Sequence, residues 1–318
     1  MKKRINFILL MLLCTLTLGA EEVTLETASG NLAGTLVVPK TDELCPVVLL
    51  IAGSGPTDRN GNTAIGQMKN NSLRMIAEAL EEAGIASLRY DKRGIGASKS
   101  AGKDESFLRF EDFVADAQAW VDLLAADKRF SQVIVAGHSE GSLIGMLTAQ
   151  GRKAVRAFIS IAGAGRPAYD IIEEQMAKQP ENIRKEVAEI NASLRKGEPV
   201  SPVPPYLYAL FRPQIQPYII SWYRYNPQIV AMTLRCPMLV VQGTKDIQVP
   251  ASEVQALTAL APGAMKCIIE GMNHVLKPCH SMEMEVQKAV YADPELPLHE
   301  ELMPAIIGFI GETMKRIE

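Results

Sequence analysis

An α/β architecture, a mostly parallel central sheet with helices on both faces, is predicted by two patterns: short apolar runs alternate with amphipathic stretches, and several runs end in glycine turns. A third observation predicts an inserted helical cap, because the alternation breaks from about Arg166 to Arg235. In order, "VVLLIAG" (47 to 53) reads as a buried strand ending in a turn. "NSLRMIAEALEEAG" reads as a helix capped by Ser72, with Leu73, Ile76, Ala77 and Leu80 on one face and a stop at Gly84. "IASLRY" is the next strand. Residues 111 to 127 carry Phe113, Ala117, Trp120 and Leu124 at helical spacing, and "QVIVAG" follows as a strand too apolar for an exposed position. "AFISIAGAG", "PMLVVQG" and "MKCII" supply three further strands, and "LHEELMPAIIGFIGETMKR" the last helix.

The chain has 318 residues, 47% of them hydrophobic, and a net charge of -3, ample for a globular domain with a real core. It carries no basic stripe, so no nucleic-acid partner is expected and the ligand is small and at most weakly charged. The start, "MKKRINFILLMLLCTLTLGA", has the layout of a secretory signal peptide cut near Gly19 or Ala20, the rival reading being an uncleaved anchor. Leu13 stands where a lipid-attachment signal before Cys14 would need a small residue. The expectation is therefore an exported protein, periplasmic or extracellular, with no stable membrane span once residues 1 to 20 are removed.

Export permits disulfides among Cys45, Cys236, Cys267 and Cys279 without requiring them, and for Cys236 and Cys267 buried free thiols are expected. Cys279 beside His280 lacks a second ligand pair at a usable spacing, so no metal site is expected.

The chemistry centres on "VIVAGHSEGSLIGM". Taken alone, a glycine-flanked serine proves little, but here a strand runs into it and a helix-forming stretch leaves it, which describes a strand-turn-helix elbow exposing Ser139. Gly137 and Gly141 lack side chains because the turn is tight and the helix packs close. A serine hydroxyl needs a base to take its proton and a third group to orient that base. "PMLVVQGTKDIQVP" places Asp246 in the turn after one strand, and "MKCIIEGMNHVLK" places His274 in the loop after another, which gives the order serine, acid, histidine. His138 lies inside the elbow and points away from the hydroxyl, His280 has no strand directly before it, and His299 opens the last helix.

Through "IAGSGPTDRNGN", "YDKRGIGAS", "GHSEG", "GTKDIQVP" and "GMNH", the chain resembles α/β-hydrolase-fold serine hydrolases, in the secreted or periplasmic esterase branch related to the serine aminopeptidase group. These residues span positions 51 to 274, most of the mature chain. The resemblance implies that fold with a helical cap and an exported esterase without a cofactor. It also implies that "DRNG" and "YDKRGIGAS" hold loops flanking the site, where structural ion pairs are expected of Arg59, Asp91 and Arg93. The first motif departs from the glycine-rich loop of lipases, "AGSG" standing in its place.

Acyl transfer puts negative charge on the former carbonyl oxygen, so N-H donors must be preorganised for it. One is expected from the backbone of Glu140, the other from the loop after "VVLLI", at Ser54 with Gly53 behind it.

The sequence expectation divides the chain into signal peptide (1–20), core (21–165), cap (166–235) and core (236–318). Within the cap, seven aromatics cluster between residues 206 and 225, and Tyr208, Phe211, Trp222 and Tyr223 are candidates to wall an acyl pocket, with packing of the cap the competing role. The expected function is hydrolysis of carboxylic esters of small to medium acyl groups through Ser139, His274 and Asp246 and an acyl-enzyme. Two alternatives stand beside it: a peptidase with the same triad, in which Glu173 or Glu174 binds a substrate amine, and a catalytically silent binding protein on the same fold.

Overall fold

The computed structural model describes residues 20–63, 68–102 and 104–315. Its eight strands are β1 (Ala20–Thr27), β2 (Gly30–Val37), β3 (Cys45–Ile51), β4 (Ala86–Tyr90), β5 (Phe130–His138), β6 (Val155–Ile161), β7 (Met238–Gly243) and β8 (Met265–Ile269). They form one sheet in the order β1-β2-β4-β3-β5-β6-β7-β8. From β4 to β8 all pairings are parallel, while β1 with β2 and β2 with β4 are antiparallel.

The β1–β2 hairpin is absent from the sequence reading. Its signal is the alternation in "VTLET", a pattern weaker than the continuous apolar runs of the central strands. The turn ends at Gly30, whose φ of +130° suits glycine, and a Cβ there would meet the Ser100 carbonyl oxygen at 2.8 Å.

Side-chain alternation along β3 divides the core. Val47, Leu49 and Ile51 face one cluster, shared with Phe110, Phe113 and Trp120 of α2 (Phe110–Ala126) and Leu143 and Ile144 of α3 (Glu140–Ala149). Val48 and Leu50 face another, shared with α1 (Ser72–Glu82) and, near the C-terminus, with Leu302, Ile306, Phe309 and Ile310. Strands covered on both faces explain the unbroken apolar runs. In α1 the capping position belongs to Asn71 rather than Ser72: Asn71 has φ 54°, and Ser72 is already helical, its N-H held by Asn70 Oδ1 at 3.0 Å. Gly84 follows the helix with φ +76°, as a terminating glycine does.

Between β6 and β7 lie α4 (Ala168–Gln175), α5 (Glu181–Arg195), α6 (Tyr208–Phe211), α7 (Gln216–Trp222) and α8 (Pro227–Thr233). Val187, Ile190, Leu194, Phe211, Tyr218 and Tyr223 from this segment join the core cluster containing α2. The chain closes with α9 (Glu253–Thr258), α10 (Met284–Tyr291) and α11 (Leu302–Lys315).

The leader expectation and Cys14 fall on residues 1–19, outside the described residues. Among the described residues no helix is long and apolar enough to cross a membrane. Cys45, Cys236, Cys267 and Cys279 are free thiols. Cys236 and Cys267 are only partly buried, because Cys267 lies on the edge strand β8 and Cys236 precedes β7.

The chain passes from β3 to β4 on one side and then crosses back to β5 on the other side of β3, so the strand order reverses there. In open α/β sheets the crevice beyond the strand ends at such a point is where ligands bind. Ile51 at the end of β3 pairs with Gly137 at the end of β5, two residues before Ser139.

Candidate active site

Ser139 occupies the turn from β5 into α3 with φ 56° and ψ -123°, a conformation that costs about 1–3 kcal/mol and persists where the surroundings enforce it. The flanking glycines enforce it. A Cβ on Gly137 would lie 2.0 Å from the Gly141 carbonyl oxygen, and one on Gly141 would lie 2.4 Å from that of Ile51. α3 therefore starts directly against the end of β3, and the Ser139 N-H is tied to the Ile161 carbonyl at 2.9 Å.

The other two residues come from the ends of β7 and β8. At Gly243 a Cβ would lie 2.0 Å from the Met272 carbonyl oxygen, so the loops after these strands press together. Lys245 N-H donates to that carbonyl at 2.9 Å, and Gly271 N-H to Thr244 Oγ1 at 3.0 Å. This contact brings His274 Nδ1 to 2.7 Å from Asp246 Oδ2. The same oxygen accepts from Gln242 Nε2 at 2.8 Å, and Oδ1 accepts the N-H groups of Gln248 and Val249 at 2.8 and 2.9 Å. Both residues are buried.

Ser139 meets this pair through its neighbour. The His138 and His274 rings lie 4.9 Å apart, and His138 Nε2 is 2.8 Å from the His274 carbonyl oxygen. No hydrogen bond joins the Ser139 hydroxyl to the His274 imidazole among the described residues; free enzymes often hold such contacts loosely until substrate binds. The sequence reading set His138 aside because its ring cannot serve Ser139, and so missed its place against His274. Burial and the adjacent His274 ring push the His138 pKa down to about 4. His138 is therefore neutral above about pH 4, and neutral Nε2-H donates to the carbonyl. Above about pH 4 the His138 ring is expected to keep a single charge state, which an NMR titration of its ring protons checks. A His138 resonance still shifting above about pH 6 would mean that its ring changes charge in the working range.

The loop after β3 reaches the elbow at Gly53, where a Cβ would lie 3.1 Å from Ser139 Cβ. Ser54 follows, exposed. Beneath the loop, buried Lys92 donates from Nζ to the Gly53 carbonyl at 2.5 Å and stands 3.5 Å from Glu140 Oε2. Burial lowers the Lys92 pKa, opposed by the Glu140 charge. Tyr218 of α7 donates its hydroxyl to Glu140 Oε1. Neither Lys92 nor the side chains of Glu140 and Tyr218 enter the sequence reading of the site; the lysine inside "YDKRG" is a weak sequence signal, since only the fold shows it buried.

Arg59 and Asp91 form the expected ion pair, at 3.0 Å, with Glu22 on the other side of Arg59 at 2.7 Å. Arg93 Nε donates to Asp116 at 2.8 Å. Asp91 also accepts the Ala97 N-H at 2.9 Å, which closes the loop after β4.

Of the four aromatics suggested for an acyl pocket, Tyr208 is 46% exposed, Phe211 is fully buried, and Tyr223 is buried with its hydroxyl on Asn191 Oδ1 at 2.7 Å. Trp222, partly buried, stacks on Phe110 with centroids 5.9 Å apart and planes 4° apart. His280 is exposed, and His299 is tied through its N-H to the Leu276 carbonyl at 2.8 Å.

A strained serine between glycines at the end of a central parallel strand, with an acid and a histidine after the last two strands, defines the class: the chain is an α/β-hydrolase-fold protein related to esterases. Residues 69–201 match the family described as "Serine aminopeptidase, S33". Esterase EstD of Thermotoga maritima is 29% identical over 255 residues, which are 78% of this chain and 58% of that protein. The chain thus spans little more than half the length of that relative. Est1E from Butyrivibrio proteoclasticus superposes with a TM-score of 0.60 at 19% identity, over 92% of this chain and 99% of its own. A Pyrococcus furiosus esterase superposes with 0.58 at 16% identity, over 93% of this chain and 92% of its own.

Proposed function

We propose that the protein is an exported serine hydrolase that cleaves carboxylic esters of small to medium acyl groups. The observation that carries the proposal is the buried Asp246–His274 hydrogen bond beside the Ser139 elbow. In this reading Ser139 Oγ attacks the ester carbonyl while His274 Nε2 takes its proton. Backbone N-H groups of Glu140 and Ser54 receive the oxyanion. Collapse breaks the bond to the alcohol, which leaves with the proton from His274, and an acyl-Ser139 ester remains. Water, deprotonated by His274, then attacks that ester; the acyl–Oγ bond breaks, His274 returns the proton to Ser139 Oγ, and the acid is released. Every proton passes through one imidazole, and no cofactor enters the reaction.

The match to a serine aminopeptidase family favours a second reading, amide cleavage with a carboxylate holding the substrate amine. Against it, the carboxylates suggested for that task are engaged: Glu173 with Asn191 Nδ2 at 3.1 Å and Glu174 in an ion pair with Arg166. Ferulic acid is bound to Est1E in one solved structure, so an aromatic acyl group belongs among the substrates to try.

The test pairs a fluorophosphonate probe with a panel of acetyl, butyryl, octanoyl and feruloyl esters and aminoacyl anilides. Labelling with ester turnover well above anilide turnover is expected. Faster anilide cleavage selects the peptidase reading; a protein neither labelled nor active is a binding protein.

The panel also tests the cap. We place Tyr208 and Trp222 at the acyl group and give Phe211 and Tyr223 the task of holding the cap on the core. Tyr208→Ala and Trp222→Ala should change the octanoyl-to-acetyl ratio of kcat/KM several-fold, since each methylene in an apolar pocket is worth about 1 kcal/mol or more. Phe211→Ala should instead cost about 3–5 kcal/mol of stability and scale all rates together. Equal scaling in all the variants would put acyl selectivity elsewhere.

A further inference from the structure

We infer that Lys92 is a positioning residue for the oxyanion hole, setting both of its backbone donors through one buried ammonium; the inference rests on the ester hydrolysis proposed above. Burying a lysine is costly unless strong partners repay it, and a neutral apolar side chain of similar volume is often at least as stable in such a place. Lys92 is 2% exposed, its Nζ lies 5.2 Å from the centroid of the Phe113 ring, and both of its polar contacts belong to residues beside Ser139.

The first contact sets a direction. A trans peptide is planar, with its C=O and N-H pointing to opposite sides. Lys92 holds the Gly53 carbonyl at 2.5 Å from inside the core, so the N-H of the same peptide unit, that of Ser54, is turned outward. Gly53 lies against the Ser139 side chain and Ser54 is exposed, so the outward side is the side on which a substrate carbonyl would meet the serine. An ammonium on the carbonyl also polarises the amide and strengthens its N-H as a donor.

The second contact fixes the other donor. Glu140 supplies the N-H after the nucleophile, and its carboxylate is held on one oxygen by Lys92 at 3.5 Å and on the other by the Tyr218 hydroxyl. Both side chains of the Lys92–Glu140 pair are 3% exposed, so their attraction is little screened by solvent. The two donors thereby share one support, and α7 of the inserted segment braces it from above.

The test uses the full-length enzyme with Lys92→Met, and with Lys92→Met/Glu140→Gln so that no buried carboxylate is left uncompensated. Both variants should melt cooperatively and keep KM within about threefold, while kcat for acetyl and butyryl esters falls about 100-fold, the scale of losing one oxyanion donor. A trifluoromethyl ketone, whose hemiketal oxygen occupies the hole, should lose affinity by the same factor as kcat/KM. A purely structural lysine would lower the melting temperature without that matched loss. A folded variant with kcat and ketone affinity within threefold of wild type overturns the inference, as does failure of both variants to fold, which would make Lys92 a residue of the core. Wild-type protein that neither labels with fluorophosphonate nor cleaves esters removes the hydrolase reading and this one with it; a defect confined to the variants concerns Lys92 alone.

Discussion

Ser139→Ala is expected to abolish fluorophosphonate labelling and to lower ester turnover by roughly 10⁴ to 10⁶-fold, while the melting temperature stays close to that of the parent. The separation of the two effects follows from what the side chain does. The strain at φ 56° belongs to the backbone, and Gly137, Gly141 and the Ser139 N-H bond to Ile161 enforce it; alanine pays the same strain and fits the same space. Only the oxygen is lost. Intact-mass analysis after probe treatment, beside rates on a butyryl ester, gives both readings. Labelling of the alanine variant would move the nucleophile to another residue.

Asp246→Asn should retain the fold and cut turnover by up to about ten-thousand-fold. The carboxylate accepts four hydrogen bonds: on Oδ1 from the Gln248 and Val249 N-H groups, and on Oδ2 from Gln242 Nε2 and His274 Nδ1. An asparagine can keep its one oxygen toward the two backbone donors, and its amide then faces Gln242 and His274 with hydrogens. His274 must present an unprotonated Nδ1 to that amide, so its proton moves to Nε2, the nitrogen that has to accept the serine proton. Gln242 keeps its contact with the Val249 carbonyl at 2.7 Å, so the stability loss should stay near 1–3 kcal/mol. A rate within tenfold of the parent would assign the orienting role to another carboxylate.

Much of this arrangement was legible in the sequence because the signals were local. The elbow is written in five consecutive residues, and Asp246 and His274 each follow an apolar strand, so order and strand ends sufficed to choose them. The ion pairs expected of Arg59, Asp91 and Arg93 also formed, since an arginine in a buried loop needs an anion wherever it lies. What escaped the reading depends on contacts between distant segments. Lys92 looks like any other charged residue in a polar loop until β3, α2 and α3 close around it. His138 looked like a bystander because its partner ring comes from the loop after β8. The β1–β2 hairpin was missed for a different reason: a strand exposed on one face leaves half its residues polar, and the pattern fades into that of a loop.

The strand order carries a consequence for how activity arises as the chain folds. Ser139 sits in the middle of the sheet, on a unit built from β3, β5, β6 and α3, whereas Asp246 and His274 hang from β7 and β8 at one margin, and His138 and His274 meet across 136 positions of sequence. Closing so long a loop is slow compared with forming local helices. In the mechanism proposed above, a partly folded molecule can thus hold a complete elbow and remain inert, because Ser139 has no base until the final strands dock. Under that reading, ester cleavage waits for the last strands of the sheet to dock.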